Sequence, residues 1–259
     1  MHFVGREFHD AIGVITMNDP KHLNNLSTKL IEEVIETLDD FNHKKARVVI
    51  IRASKGVKVW SSGHNIKELP IGLVDPLTYD DPLRKVIRAI QKHPCPVIAM
   101  IEGSVWGGAC EMAMNCDIII ASVKSTFAFT PARLGIPYDM VGILNFLKSV
   151  NLPLIKEFLF TAQPIPAKRV EAIGMINHAI ENEQLEQFTF DMANTISQNA
   201  PLAISVIKEE LRVLTDAATL SPKSYEKIQS GRKIVYDSKD YKEGIKAFFE
   251  KRKPVFNGK

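Results

Sequence analysis

Two kinds of apolar pattern run along the chain and divide it unevenly. In the first half, short β-branched or continuous apolar runs alternate with helical stripes. Ala11 to Met17 is rich in β-branched residues and predicts a strand. Asp19-Pro20 marks a turn and Asn24-Asn25 continues the loop. Ser27 then stands where it can cap a helix whose apolar positions are Leu30, Ile31, Val34, Leu38 and Phe41. Val48-Val49-Ile50-Ile51 is a continuous apolar run, the pattern of a strand buried on both faces of a sheet. A polar, glycine-containing loop from Ser54 to Asn65 leads into a short helical stretch, Ile66 to Leu69. The segment from Pro70 to Pro82 has little periodicity and two Asp-Pro turns, and is expected to be a mobile loop over a site. Leu83 to Gln91 reads as helix, Pro96 to Glu102 as strand, Gly107 as the opening of a further helix, and Ile118 to Ala121 as strand.

From Gly142 onward the pattern turns almost wholly helical. Ile143 to Val150, Leu154 to Thr161, Ala167 to Ile173, Leu185 to Gln198 and Leu202 to Thr215 all fit helical spacing, and Gly174 ends one of them. Strands alternating with helices predict an α/β fold with a largely parallel sheet. With no Gly-, Ser- or Pro-rich linker, the helical part is expected to pack on the α/β part or on a neighbouring subunit.

Composition narrows the function classes. The 259 residues are 45% hydrophobic and 24% charged, ordinary for a chain with a buried core. A net charge of +3, whose densest basic run is Lys251-Arg252-Lys253, argues against nucleic-acid binding. Three cysteines, two of them (Cys110 and Cys116) in an apolar run, predict buried thiols and neither a disulfide framework nor a metal site. No apolar run reaches the ~18 residues of a membrane span, and no signal-like leader precedes the first strand. A cytoplasmic protein is expected.

Two glycine-bearing loops concentrate the candidate chemistry. Ser62-Gly63-His64-Asn65-Ile66 precedes a short helix, and Gly103 to Glu111 runs from a strand end through Gly107-Gly108 into a helix. A helix start leaves N–H groups without intrahelical partners and carries about half a positive charge. Glycine there lets a ligand approach the backbone. Together the loops could present two convergent N–H donors to one oxygen.

These stretches resemble the crotonase family, the enoyl-coenzyme A hydratase/isomerase superfamily. The resemblance covers nearly the whole chain. It runs through Pro20 to Leu26, Ser62 to Glu68, Gly103 to Asp117, Ala132-Arg133-Leu134-Gly135, and Ala247 to Pro254. It implies a spiral of repeated β-β-α units with a helical trimerisation region, divided here as 1–195 for the acyl-CoA-binding core and 196–259 for the trimerisation region. It further implies an acyl-coenzyme A substrate, no separate cofactor, and a homotrimer or a hexamer built as a dimer of trimers. By position, the two N–H donors to the thioester oxygen belong to His64 and Gly108. Gly63, Ile66, Gly107 and Pro131 border the bound thioester. Lys21, His22 and Leu23 correspond to backbone beside the adenosine. Phe248 and Lys251 correspond to residues that often reach the nucleotide of a neighbouring subunit.

Hydratases of this family use two glutamates. Glu111 matches the first, but the second position holds Pro131, which has neither a titratable group nor an N–H. A narrower resemblance fits better. Glu102 to Ala109, Phe129-Thr130-Pro131, Gly135 to Tyr138, Tyr79 to Leu83 and Lys208 to Leu214 are similar to decarboxylases of the family that act on methylmalonyl-type thioesters. That resemblance places the hydroxyls of Tyr138 and Thr130 around a reacting carboxylate, with the role of Glu111 open. An isomerase or weak hydratase using Glu111, or a non-catalytic acyl-CoA binder, is the alternative. An apolar face with Leu154, Ile155, Phe158, Ile204, Ile207 and Leu211 is expected to meet other subunits.

Overall fold

A computed structural model describes residues 2–69, 78–215 and 222–257. Most of the loop expected over a site, residues 70–77, lies outside the described residues.

The frame is a six-stranded sheet in the order β1-β2-β3-β5-β7-β10. Its strands are β1 (Val4–His9), β2 (Ile12–Met17), β3 (Val48–Ala53), β5 (Val97–Ile101), β7 (Ile118–Ser122) and β10 (His178–Ile180). Only β1 and β2 pair antiparallel; the other four pairings are parallel. The apolar runs are buried on both faces, as their continuity requires. Val49, Ile51, Val97, Ala99 and Ile101 face one core, while Val48, Ile50, Ile98 and Met100 face the other.

Helix α1 (Thr28–His43) covers the first face. Ser27 caps it by accepting the Leu30 N–H, and its stripe Leu30, Ile31, Val34, Leu38 and Phe41 is buried as the spacing predicts. Helix α2 (Pro82–Lys92) packs beside it, with Leu83, Val86, Ile87 and Ile90 inward. Helix α7 (Asn182–Ser197) closes the second face with Leu185 and Ala193.

A second sheet, β4-β6-β8-β9, lies where the sequence reads as loop. It comprises β4 (Val59–Ser61), β6 (Ser104–Trp106), β8 (Thr126–Ala128) and β9 (Ile165–Pro166). Strands of two or three residues are too short to show a period. For the same reason the region after Gly142 is less purely helical than expected, since it supplies β9 and β10. From β3 to β8 the chain passes repeatedly from a strand of the large sheet to a strand of the small one and on to a helix or 3-10 turn. Helix α3 (Gly108–Met114) follows β6 in that way.

The remaining helices are α4 (Met140–Ser149), α5 (Leu152–Thr161), α6 (Ala167–Ala172), α8 (Pro201–Thr215), α9 (Pro222–Asp237) and α10 (Lys239–Phe249). The expected inter-subunit face is corrected in part. Ile155 and Phe158 are buried in the chain's own core, where Phe158 stacks on Phe129 with ring centroids 6.2 Å apart. The large apolar residues left exposed on α8 are Leu202, Val206, Ile207, Leu211, Val213 and Leu214.

Helix α10 sits on the 3-10 turn Pro131–Leu134. Gly244 allows that approach: a Cβ there would stand within 2.2 Å of the Leu134 carbonyl oxygen. Gly244→Val should therefore lift α10 from the turn. Limited proteolysis should then cut beyond Ser238 at least ~10-fold faster than in wild type, because cleavage follows the population of the detached state. An unchanged cleavage rate would mean the helix is held by other contacts.

Candidate active site

The two glycine loops meet backbone to backbone. Gly63 has φ +85°, and a Cβ on it would fall 2.3 Å from the Trp106 carbonyl oxygen and 3.1 Å from the Gly108 nitrogen. Gly107 has φ +52° and forms the N-cap of α3. A side chain at position 63 would therefore push the loops apart. Among the described residues, neither the His64 N–H nor the Gly108 N–H meets a hydrogen-bond acceptor. The two N–H groups, one of them at the start of α3, lie at the same pocket and can donate to a single oxygen.

The first loop is fixed from behind. Leu26 N–H donates to the Gly63 carbonyl at 2.8 Å, the Gly63 N–H to Ser61 Oγ at 3.2 Å, and Ser61 Oγ–H to the Asn24 carbonyl at 2.6 Å. The His64 ring is held as well, with Nε2 3.1 Å from Asp81 Oδ2. Asp81 also caps α2, since its Oδ1 accepts the Leu83 N–H at 2.8 Å.

A narrow pocket of ≈ 90 Å³ opens beside these N–H groups. His64, Ile66, Gly107, Gly108, Glu111, Thr130, Pro131 and Tyr138 all line it, so this part of the expected set is brought together. Thr130, two residues beyond β8, is the N-cap of the 3-10 turn, and a Cβ on Gly107 would lie 3.4 Å from its Oγ1. The Tyr138 hydroxyl is buried and has no hydrogen-bond partner among the described residues. Its ring leans edge-on against Phe129 and Phe146, with centroids 6.2 and 5.6 Å away. Burial pushes the phenol well above its usual range, and the Glu111 carboxylate beside it pushes the same way. Tyr138 is therefore a hydrogen-bond donor throughout the working pH range.

Glu111 is not free. Arg84 Nη1 donates to Glu111 Oε1 at 2.5 Å, and Arg84 Nη2 pairs with Asp139 Oδ2. All three are buried, with Arg84 5%, Glu111 3% and Asp139 8% exposed. Asp139 in turn caps α4, accepting the Gly142 N–H at 3.1 Å. One guanidinium therefore ties α2 to α3 and to the start of α4. Burial pushes the Glu111 carboxyl up, against the pull of Arg84.

The pocket continues into a broad groove of ≈ 1020 Å³ lined by Lys21, His22, Leu23, Trp106, Phe248 and Lys251 among others. Asn24 shapes its near wall: Asn24 Oδ1 accepts the Asp19 N–H at 2.7 Å and Nδ2 donates to the Trp60 carbonyl at 3.0 Å. Phe248 and Lys251 line the groove of their own chain. The seating of α10 on the 131–134 turn brings its C-terminal end over that groove. Gly63 lies behind the pocket wall. Among the described residues no cluster of three His, Cys, Asp or Glu side chains is placed to hold a metal ion.

The sequence pattern described as enoyl-CoA hydratase/isomerase matches residues 7–259. The chain belongs to the enoyl-CoA hydratase/isomerase family. Within this crotonase family it is similar to the methylmalonyl-CoA decarboxylase of Escherichia coli (strain K12), 53% identical over 249 residues, which are 96% of this chain and 95% of the relative. Two solved structures match over 100% of this chain and 99% of theirs, each at 51% identity. One is methylmalonyl-CoA decarboxylase with 2S-carboxypropyl-CoA, at a TM-score of 0.98; the other holds 2-nitronate-propionyl-CoA, at 0.97.

Sequence reasoning about this crotonase missed Arg84, Asp81 and Asp139. A signal for Arg84 existed: it lies three residues before Ile87, on the buried stripe of α2, where a charge needs a buried partner. Lys67, Arg133 and Phe249, which also line the groove, fall within the stretches that carry the family resemblance but were not singled out there.

The Glu111 direction fixes a pH dependence. Since its carboxyl is pushed above the ordinary 4.5, the folded chain holds that proton more tightly than the unfolded chain. Stability from this group is full below ~pH 4.5 and is lost as pH rises through the raised folded pKa. Glu111→Gln deletes the titration. The urea midpoint of wild type relative to this variant should therefore fall from pH 4.5 upward. A difference that rises with pH would show that Arg84 outweighs burial.

Proposed function

We propose that this chain decarboxylates methylmalonyl-CoA to propionyl-CoA through a thioester enolate. The observation that carries the reading is the Tyr138 hydroxyl, buried in the pocket wall without a hydrogen-bond partner among the described residues, at the same pocket as the N–H groups of His64 and Gly108. The relatives support it: a relative 53% identical over 249 residues is named for that reaction, and one solved structure of that name holds 2S-carboxypropyl-CoA.

In this reading the thioester oxygen lies between the two N–H groups, which form an oxyanion hole. Tyr138, assisted by Thr130, donates to the substrate carboxylate and turns it out of the thioester plane. The C–C bond then breaks along the π system, carbon dioxide leaves, and its electron pair passes into the carbonyl. The negative charge ends on the oxygen that the N–H pair holds, a contact of ~3 kcal/mol per donor at comparable sites. A proton then adds to the α-carbon. No proton has to be removed first, so Glu111 is free to serve as Arg84's buried partner. Pro131, where a hydratase carries its second glutamate, borders the pocket as an apolar wall. Lys21, His22, Leu23, Phe248 and Lys251 accept the nucleotide end of coenzyme A in the broad groove. Coenzyme A is part of the substrate, and no separate cofactor enters.

We place residues 1–195 as the acyl-CoA-binding core and 196–259 as the region that completes assembly, in a cytoplasmic protein. No described helix is long and apolar enough to cross a membrane. The exposed apolar face of α8 is the surface for other copies of the chain, giving a trimer or a dimer of trimers. Light scattering at micromolar concentration should return three or six protomers; a stable monomer would remove this part of the proposal.

The reaction class is tested on two variants. An isomerase or hydratase moves a proton through a carboxylate, whereas a decarboxylase does not. Glu111→Gln should keep decarboxylation of methylmalonyl-CoA within ~10-fold of wild type. Tyr138→Phe should lose clearly more, as a hydrogen bond to a charged group contributes ~1.5–3 kcal/mol. Crotonyl-CoA, followed in parallel, should be hydrated slowly or not at all. If Glu111→Gln abolishes turnover and Tyr138→Phe is unaffected, proton transfer through Glu111 takes the place of this mechanism.

A further inference from the structure

We infer that Gly142, on the first turn of α4, is a positioning residue for Tyr138: its missing side chain is the space in which the phenol ring sits. A Cβ at position 142 would stand 2.5 Å from Tyr138 Cε1, 3.0 Å from Glu111 Cδ and 3.1 Å from Glu111 Oε1. Cε1 is bonded to the carbon that carries the hydroxyl, so a push at that atom moves the hydroxyl itself.

The ring has little room to retreat. Phe129 and Phe146 meet it edge-on, and both are fully buried. Its backbone is held too, because Arg232 Nη1 donates to the Tyr138 carbonyl at 2.8 Å. Position 142 is equally fixed, since its N–H is capped by Asp139, whose carboxylate is paired with buried Arg84. Glu111, on the other flank, is locked by the same guanidinium. An added methyl group at 142 therefore displaces the ring toward the pocket. The backbone itself gives no reason for glycine here. Gly142 is helical, and alanine is the stronger helix former of the two. The glycine is explained by what stands beside it.

This inference rests on the proposed role of the Tyr138 hydroxyl, and a double-mutant cycle separates the two. Gly142→Ala, Tyr138→Phe and the double variant are assayed for kcat and KM on methylmalonyl-CoA. Gly142→Ala should lower kcat at least ~10-fold, the effect of ~1.4 kcal/mol in the barrier, and leave KM within ~3-fold because the broad groove is untouched. In the Tyr138→Phe background the same substitution should change kcat less than ~3-fold, since the hydroxyl it misplaces is already gone. An equal loss in both backgrounds, or no loss in either, overturns the role of Gly142. If Tyr138→Phe alone keeps full activity, the hydroxyl reading fails and takes this one with it. Should Gly142→Ala prove too unstable to assay, urea unfolding decides. Tyr138→Ala/Gly142→Ala should then be at least as stable as Tyr138→Ala, because the ring that clashes has been removed. A persisting loss would assign the clash to Glu111 and end the proposal.

Discussion

The contact between the backbone at Gly63 and the carbonyl of Trp106 is the constraint on which the site depends. A side chain at position 63 would need the space of that carbonyl oxygen, 2.3 Å from its Cβ. Since the loops may approach this closely, the His64 and Gly108 N–H groups can face one pocket. Both loops leave the small sheet, the first from β4 and the second from its neighbour β6, and the first is also tied through Leu26 to the start of α1. Their relative position is therefore set by the packing of whole elements, which supports two aligned donors that need no rearrangement as charge develops.

Around that contact the charged groups are arranged so that few are left to choose their own positions. Arg84 reaches from α2 to Glu111 on α3 and Asp139 at the start of α4, so the three helices that wall the pocket share one buried ion cluster. Removing one member of such a cluster typically costs ~3–5 kcal/mol, because the others stay buried without a counter-charge. Asp81 does a smaller version of the same task, capping α2 with one oxygen and holding His64 with the other. The pocket walls and the N–H donors are thus coupled through α2.

Much of this was legible in the sequence where a residue's neighbours are local. Ser27 and the α1 stripe, the two-sided strand β3, and the glycines before α3 all express constraints that act within a few residues. The small sheet was not legible, because Val59–Ser61 and Thr126–Ala128 are too short to show alternation. The burial of Ile155 and Phe158 was misread for a related reason. Helical spacing shows that α5 has an apolar stripe but not which surface it meets, and Phe129 of its own chain takes that place. Of the site residues, those with distinctive chemistry in a loop could be found. The partners that hold them, such as Arg84 and Asp139, come from segments far apart in sequence and show themselves only when the chain is folded. Gly142 is the extreme case, since its significance lies in an atom it does not have.

The ion cluster also bears on which charge the pocket can accept. Two ionised carboxylates, Glu111 and Asp139, with a single guanidinium would leave one net negative charge beside the Tyr138 hydroxyl. An anionic substrate carboxylate ~4 Å from such a charge would be repelled by ~4 kcal/mol at an effective dielectric constant of 20. Burial acts against that surplus, because it raises the Glu111 pKa and so disfavours the second negative charge. A hydratase needs the reverse, an accessible carboxylate that exchanges protons with water at each turnover. Here Glu111 is 3% exposed, bonded to Arg84 and faced across the pocket by Pro131. With a proline in place of one acid and an arginine bonded to the other, the pair of groups that would move a proton is not assembled. The pocket thus suits a reaction that needs no proton moved through Glu111.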